Sequence, residues 1–229
     1  FSVRDGDLLK TGADGRIVIT LDKSTGMSGS VTLNPSTSLY LDLGLFRGSP
    51  RTSLDLLMGS VGAKVKKLAG SPTMQVQTST TVAGVRGTEF EVAVSLNDAV
   101  LVTCSEGEVS WDDGQGSALP VAAGKAVEKR GAGKATYLDA DPAAIAEFRA
   151  RWMEGELSAL KVNPLKAIAA YEARYARLSD SFQRAAEPLA GSPVLRKWMD
   201  EDRAGRKPRV LDPAVMREKK EIFTSLKAL

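Results

Sequence analysis

Residues Met74–Trp111 read MQVQTSTTVAGVRGTEFEVAVSLNDAVLVTCSEGEVSW, two runs in which apolar and polar side chains alternate. In the first, Met74, Val76 and Thr78 fall on one face and Gln75, Gln77 and Ser79 on the other, the period of two that a half-buried strand needs. Phe90, Val92 and Val94 repeat the pattern, with Glu89, Glu91 and Ser95 predicted to face water. Asn97-Asp98 then supply turn residues before Val100, Val102 and Cys104 resume the alternation. Glu106-Gly107 closes that strand ahead of Val109 and Trp111, so the stretch is a series of short strands. Gly84 and Gly87 bracket Val85 and Arg86 at the corner between the first two runs, where paired glycines suggest positive φ or a close backbone approach.

The same grammar extends towards the N-terminus. Asp5-Gly6 and Asp14-Gly15 are turn dipeptides, and Ile17, Ile19 and Leu21 alternate between polar neighbours. Val31 and Leu33, then Leu39, Leu41 and Leu43, then Val61, Ala63 and Val65 follow in the same way. Gly29-Ser30-Val31, Gly59-Ser60-Val61 and Gly107-Glu108-Val109 form a loose repeat, each a glycine leading into a strand at unequal spacing. The pattern fits either a β-solenoid-like stack or a twisted β-sandwich and does not separate them.

Two segments carry a family resemblance. Val82-Ala83-Gly84-Val85-Arg86-Gly87-Thr88-Glu89-Phe90 and Glu106-Gly107-Glu108-Val109, followed by Val121-Ala122-Ala123-Gly124, resemble the periplasmic domain of the FecR family. Its characteristic run is Ala-Val-Arg-Gly-Thr-x-Phe followed by Glu-Gly-x-Val; here Gly84 stands between the alanine and the valine. The opening Gly6-Asp7-Leu8-Leu9-Lys10-Thr11-Gly12 is similar as well, so the resemblance covers residues 5–127. It implies an envelope-located β domain of solenoid-like form. FecR proteins receive a signal from an outer-membrane transporter and regulate a sigma factor through an N-terminal domain and one membrane helix. Neither part has a counterpart in these residues. The resemblance therefore implies a structural or signalling role exercised by protein contact. In that reading Ala83, Gly84, Val85, Arg86, Gly87, Thr88, Phe90, Glu106, Gly107 and Val109 are structural signature residues.

Near Asp139 the period changes from 2 to 3.6. Asp141-Pro142, Asn163-Pro164, Ser192-Pro193 and Asp212-Pro213 each place a capping side chain before a proline at the first helical position. About four helices are therefore expected, which divides the chain into an all-β domain, residues 1–138, and a helical region, 139–229. The second helix carries Leu165, Ile168, Tyr171, Tyr175, Leu178, Phe182, Ala185 and Leu189 three or four apart, an a/d-type seam over about three heptads. Neighbouring helices of the same chain are the expected cover for this seam, the first through Ile145, Phe148, Trp152 and Leu160, the third through Val194, Leu195 and Trp198 and the last through Met216, Ile222, Phe223 and Leu226. Lying along the end and side of the β region is the other arrangement open to them. A homo-oligomer through the seam is the other reading. Tyr171, Tyr175, Leu178, Phe182, Arg206, Lys207 and Arg209 are candidate partner contacts.

Composition excludes several function classes. The 229 residues contain no histidine and one cysteine, Cys104. The commonest general base and metal ligand are thus missing, and Cys104, at an inward strand position, reads as an inert buried thiol. Glu89 and Glu91 share one polar strand face near Arg86, an arrangement open to a cation or a sugar. Two neighbours on one strand do not flank a scissile glycosidic bond in any obvious way, however, and read as solvated strand decoration. Asp112-Asp113-Gly114-Gln115-Gly116 lacks the spaced ligands of a calcium loop and reads as a hairpin turn. Gly12–Gly15 and Gly131–Lys134 lack the spacing of a phosphate loop. No catalytic residue, metal or cofactor is expected. Fourteen basic and fourteen acidic residues precede Asp139, and seventeen basic and fourteen acidic follow from it. Acidic neighbours interrupt the densest basic groups, Arg203–Arg209 and Arg217–Lys220, which speaks against nucleic acid as a partner.

No apolar run reaches the 18 residues that a membrane helix needs. Phe1 is not a natural first residue, which leaves room for a leader or anchor ahead of it. The expected function is a non-catalytic periplasmic or otherwise exported module with an envelope protein as partner. A carbohydrate-binding or carbohydrate-active β-solenoid is the alternative, although the β region holds few aromatic residues for sugar stacking.

Overall fold

The computed structural model describes residues 2–4, 6–21, 27–46, 49–67, 73–85, 87–112, 118–131 and 133–205. The strands are β1 (Leu8–Lys10), β2 (Ile17–Thr20), β3 (Met27–Leu33), β4 (Ser38–Phe46), β5 (Ser49–Lys67), β6 (Thr73–Gln77) and β7 (Val82–Val85). After them come β8 (Glu89–Val94), β9 (Val100–Glu106), β10 (Glu108–Asp112), β11 (Leu119–Ala122), β12 (Lys125–Lys129) and β13 (Thr136–Asp139). A 3-10 turn, Pro142–Ala144, leads into α1 (Ile145–Val162), α2 (Pro164–Ala190) and α3 (Pro193–Arg203). The chain divides into two compact units, residues 1–164 and 165–229.

The β-strands make one open, curled sheet whose axis is β5, 19 residues long. Its N-terminal part lies between β4 and β6, and its C-terminal part lies between β3 and β8. One half-sheet therefore runs β1-β4-β5-β6-β7-β10-β11 and the other β2-β3-β5-β8-β9-β12-β13. The fold at the crease is set at Gly59. The register with β4 shifts there, Ser38 pairing with Met58 but Leu39 with Leu56, and Gly59 has φ +89°. A Cβ at Gly59 would lie 2.5 Å from Thr37 Cα and 2.6 Å from the Ser36 carbonyl oxygen, so only glycine admits this approach. Hydrogen bonds hold the crease: Ser60 N donates to Thr37 Oγ1 at 3.0 Å, and Asn34 Nδ2 donates to Ser60 Oγ at 3.1 Å.

The inner faces of the two half-sheets meet in a single core. Leu39, Leu54, Leu56, Val76 and Trp111 from one half pack with Val31, Val61, Phe90, Val92 and Val102 from the other, all at 1% exposure or less. Each such side chain contributes about 1.5–3 kcal/mol relative to leaving it in water. This is the alternation predicted from Met74–Trp111. Ser95 departs from it, since it is buried rather than solvated and its Oγ accepts from Ala99 N at 3.1 Å to close the β8–β9 turn.

The solenoid expectation is corrected by the pairing. A solenoid stacks its coils through parallel ladders, whereas every described ladder except β5–β6 is antiparallel. Gly29 and Gly59 lie inside strands rather than leading into them, so their rhythm marks backbone irregularities and not a repeat period.

Three α-helices stand among the described residues where about four are expected, and the start at Asp212-Pro213 lies outside those residues. Asp141 caps as predicted, its Oδ1 accepting from Ala143 N at 2.9 Å, and Ser192 Oγ accepts from Leu195 N at 3.3 Å. Of the two arrangements expected for the helices, α1 takes the one along the β region: Ile145, Phe148 and Trp152 pack on Ala93, Leu101 and Ala126, on the outer face of β8, β9 and β12, and on Ala140 just after β13. Small and apolar residues at those outward positions leave room for a helix.

Candidate functional site

The two signature segments meet where the chain crosses between the half-sheets. Ala83, Gly84 and Val85 belong to β7, and Val85 pairs with Val109 of β10. Arg86 lies outside the described residues. Thr88 and Phe90 continue into the other half-sheet, where Glu89 pairs with Glu106. Gly87 (φ +68°) turns the first crossing and Gly107 (φ +80°) the second. They stack: a Cβ at Gly107 would sit 2.8 Å from Thr88 Cγ2 and 3.0 Å from the Gly87 carbonyl oxygen. The main chain locks the corner, with Val65 N donating to Thr88 O at 3.0 Å and Ala123 N to Gly107 O at 3.1 Å. Val109 and Phe90 point into the core at 0% and 1% exposure. The described signature residues thus build a corner, with Val109 and Phe90 inside it and Gly87 and Gly107 at its turns.

Cys104 lies beside this corner, 0% exposed, and burial pushes its thiol pKa up. Such a thiol is held in the unreactive protonated form. Among the described residues no group of histidine, cysteine, aspartate or glutamate could hold a metal ion.

A polar cleft of about 370 Å³ opens between the outer faces of β3, β5 and β8 and the start of α1. Ser30, Thr32, Arg16 and Ser105 line it with Lys64, Glu89 and Glu91. Both carboxylates are already engaged: Glu89 with Lys64 at 2.6 Å, and Glu91 with Arg149 of α1. The aromatic residue in its lining, Phe90, is 1% exposed, so the cleft offers a sugar no stacking ring.

Farther along α1, Glu156 is 3% exposed and accepts from Asn97 Nδ2 and Arg130 Nε, each at 2.8 Å. That hydrogen bond also raises the Arg130 guanidinium above its ordinary pKa. Trp152 Nε1 donates to Glu128 at 2.9 Å. Together these contacts latch α1 to the sheet. The 3.6-residue period of α1 marked Ile145, Phe148 and Trp152, but nothing in the sequence paired Glu156 with Asn97 or Arg130, 59 and 26 residues away.

The candidate partner contacts lie on α2, within the second unit. Tyr171, Tyr175 and Phe182 are 41%, 74% and 59% exposed, and Leu165 and Ile168 extend the same stripe at 78% and 61%. Among the described side chains of the seam, these five are exposed and Leu189 at its end is 6% exposed; the last helix expected to help cover it lies outside the described residues. Leu178 lies in α2, but its side chain is outside the described residues, as are Arg206, Lys207 and Arg209. No described helix is long and apolar enough to cross a membrane.

Comparison with known proteins adds the following. Residues 7–110 match the family described as FecR protein. No curated protein matches the chain. Two crystal structures of a candidate anti-sigma factor from Parabacteroides distasonis ATCC 8503 resemble it. The 2.50 Å structure has a TM-score of 0.51 at 16% identity, over 61% of this chain and 62% of that one. The 1.65 Å structure has a TM-score of 0.50 at 15% identity, over 62% of this chain and 64% of that one. The likeness spans less than two thirds of those chains, and at this identity it concerns the fold alone.

Proposed function

We propose that this chain is a non-catalytic FecR-like module of the bacterial cell envelope, structural or signalling, that works by contact with another protein. The observation that carries the reading is the FecR match over residues 7–110, which falls on the curled sheet and takes in the signature corner. The structural likeness to a candidate anti-sigma factor accords with a regulatory role. The chemistry agrees: the glycines at positions 87 and 107 turn backbone crossings, the described carboxylates of the cleft are paired, and the thiol is buried. The module's domains divide the work. The β domain, residues 1–138, with α1 latched to it, serves as the scaffold, and within the helical region, 139–229, the exposed stripe of α2 supplies the contact surface.

A large exposed apolar stripe on a helix is the kind of surface that an aromatic-rich protein interface covers. Lysine-directed crosslinking in the native envelope, read by mass spectrometry, tests the proposal. Adducts should gather at Lys161, Lys166 and Lys197. Adducts gathered at Lys10, Lys64 and Lys66 would move the docking surface to the sheet. Complete absence of protein adducts would overturn the contact reading, as would turnover of a polysaccharide by the purified chain.

A further inference from the structure

We infer that the open face of α2 is completed by the same face of a second copy of this chain, the two helices packing as a coiled coil. The inference rests on the reading of α2 as a contact face and names its occupant.

Spacing is the first argument. Ile168, Tyr175 and Phe182 are seven residues apart, and so are Tyr171 and Leu178. On a straight helix a strict seven-residue repeat drifts by about 20° per heptad, and it stays on one seam when a second helix supercoils with it. A sheet or an irregular surface places no such demand. The helix is long enough to use the repeat: α2 has 27 residues, and the open stretch from Leu165 to Phe182 runs for about 26 Å at 1.5 Å per residue.

Area is the second. Leu165, Ile168, Tyr171, Tyr175 and Phe182 are 78%, 61%, 41%, 74% and 59% exposed. With large side chains offering about 150–250 Å² each, they leave on the order of 600 Å² open per helix. If a partner covered them fully, two copies would bury up to about 1,200 Å² through these five residues, which reaches the lower end of specific interfaces. A single helix face of this size has the area that a symmetric dimer needs. The flanking positions do not oppose an identical partner either, since Ala167, Glu172, Arg174, Ser179 and Ser181 carry one charge of each sign.

Sedimentation of the purified full chain from low to high micromolar concentration tests the inference. The expected mass is twice 24.3 kDa at the upper end. Ile168→Ala with Tyr175→Ala keeps helix propensity while removing the seam, and should weaken association by about tenfold or more. Ile168→Asp with Tyr175→Asp should abolish it. Val18→Asp, at a position 59% exposed on β2, should leave the mass unchanged. A chain that stays at 24.3 kDa throughout, or a dimer indifferent to both double variants, overturns the inference. Because only this chain is in the cell, that failure leaves contact with a different envelope protein standing, to be decided by the crosslinking.

Discussion

Gly87 and Gly107 turn the two crossings of the signature corner, and replacing each by alanine should give unequal costs. Both have positive φ, +68° and +80°, so an L side chain at either meets left-handed strain of about 1–2 kcal/mol. Alanine also restricts the unfolded chain, which returns about 0.4–1 kcal/mol. At Gly87 nothing else enters, because no atom lies within 4 Å of the added Cβ. Gly87→Ala should therefore destabilise by about 1 kcal/mol or less. At Gly107 the same methyl would stand 2.8 Å from Thr88 Cγ2 and 3.0 Å from the Gly87 carbonyl oxygen. Thr88 is 3% exposed and its carbonyl is bonded to Val65 N, so it yields only by disturbing the sheet. Overpacking of that kind adds about 1–3 kcal/mol. Gly107→Ala should thus cost about 2–4 kcal/mol in all. Urea unfolding at equal m-value reads both as shifts in midpoint. Equal costs at the two positions, or a larger one at Gly87, would refute the stacked-corner geometry.

The latch on α1 makes a second prediction. Glu156→Ala strips Asn97 and Arg130 of their acceptor and should cost about 1–3 kcal/mol, with amide exchange in α1 rising before that in the strands. Unchanged protection across Ile145–Val162 would show that the latch is idle. Trp152→Phe keeps the packing but loses the bond to Glu128, so a loss of about 1 kcal/mol is expected by the same urea assay. Cys104 should ignore a thiol reagent in the native chain and react fully in denaturant; rapid native labelling would contradict its burial. Its folded pKa is raised, so above the ordinary thiol value of about 8.5 the unfolded chain loses the proton first. Stability should therefore fall as pH rises through that window, and less so in Cys104→Ala.

The strands were legible because their inner face alternates: Phe90, Val92, Val94, Val100 and Val102 are all buried where period two places them, but alternation does not say how the strands pair, so the curled sheet was not. Of the two glycines expected to bracket the corner, Gly87 has the positive φ that the pattern suggests, whereas Gly84 sits inside β7 with only ordinary contacts around it. The crease at Gly59 was hidden. Gly59-Ser60 looks like the start of a strand, and nothing local says that Leu54, Leu56 and Val61 belong to one strand continuing through a bulge. The outer face of β9 was hidden too, because Leu101 is buried by a helix more than forty residues away in sequence. For α2 the seam was visible in the heptads, but whether its own chain covers it depends on tertiary placement that periodicity does not encode. Ser95 shows the limit on a smaller scale: alternation places it in water, and a turn bond takes it inside.

A photoactivatable residue placed at Tyr175, and separately at Ser30 on the floor of the cleft, tests the protein-contact claim most directly in the native envelope. The account predicts protein adducts from position 175 and none from position 30. Adducts from position 30 alone, or no protein adduct at 175 while a polysaccharide protects the amides of β3, β5 and β8 from exchange, would contradict it.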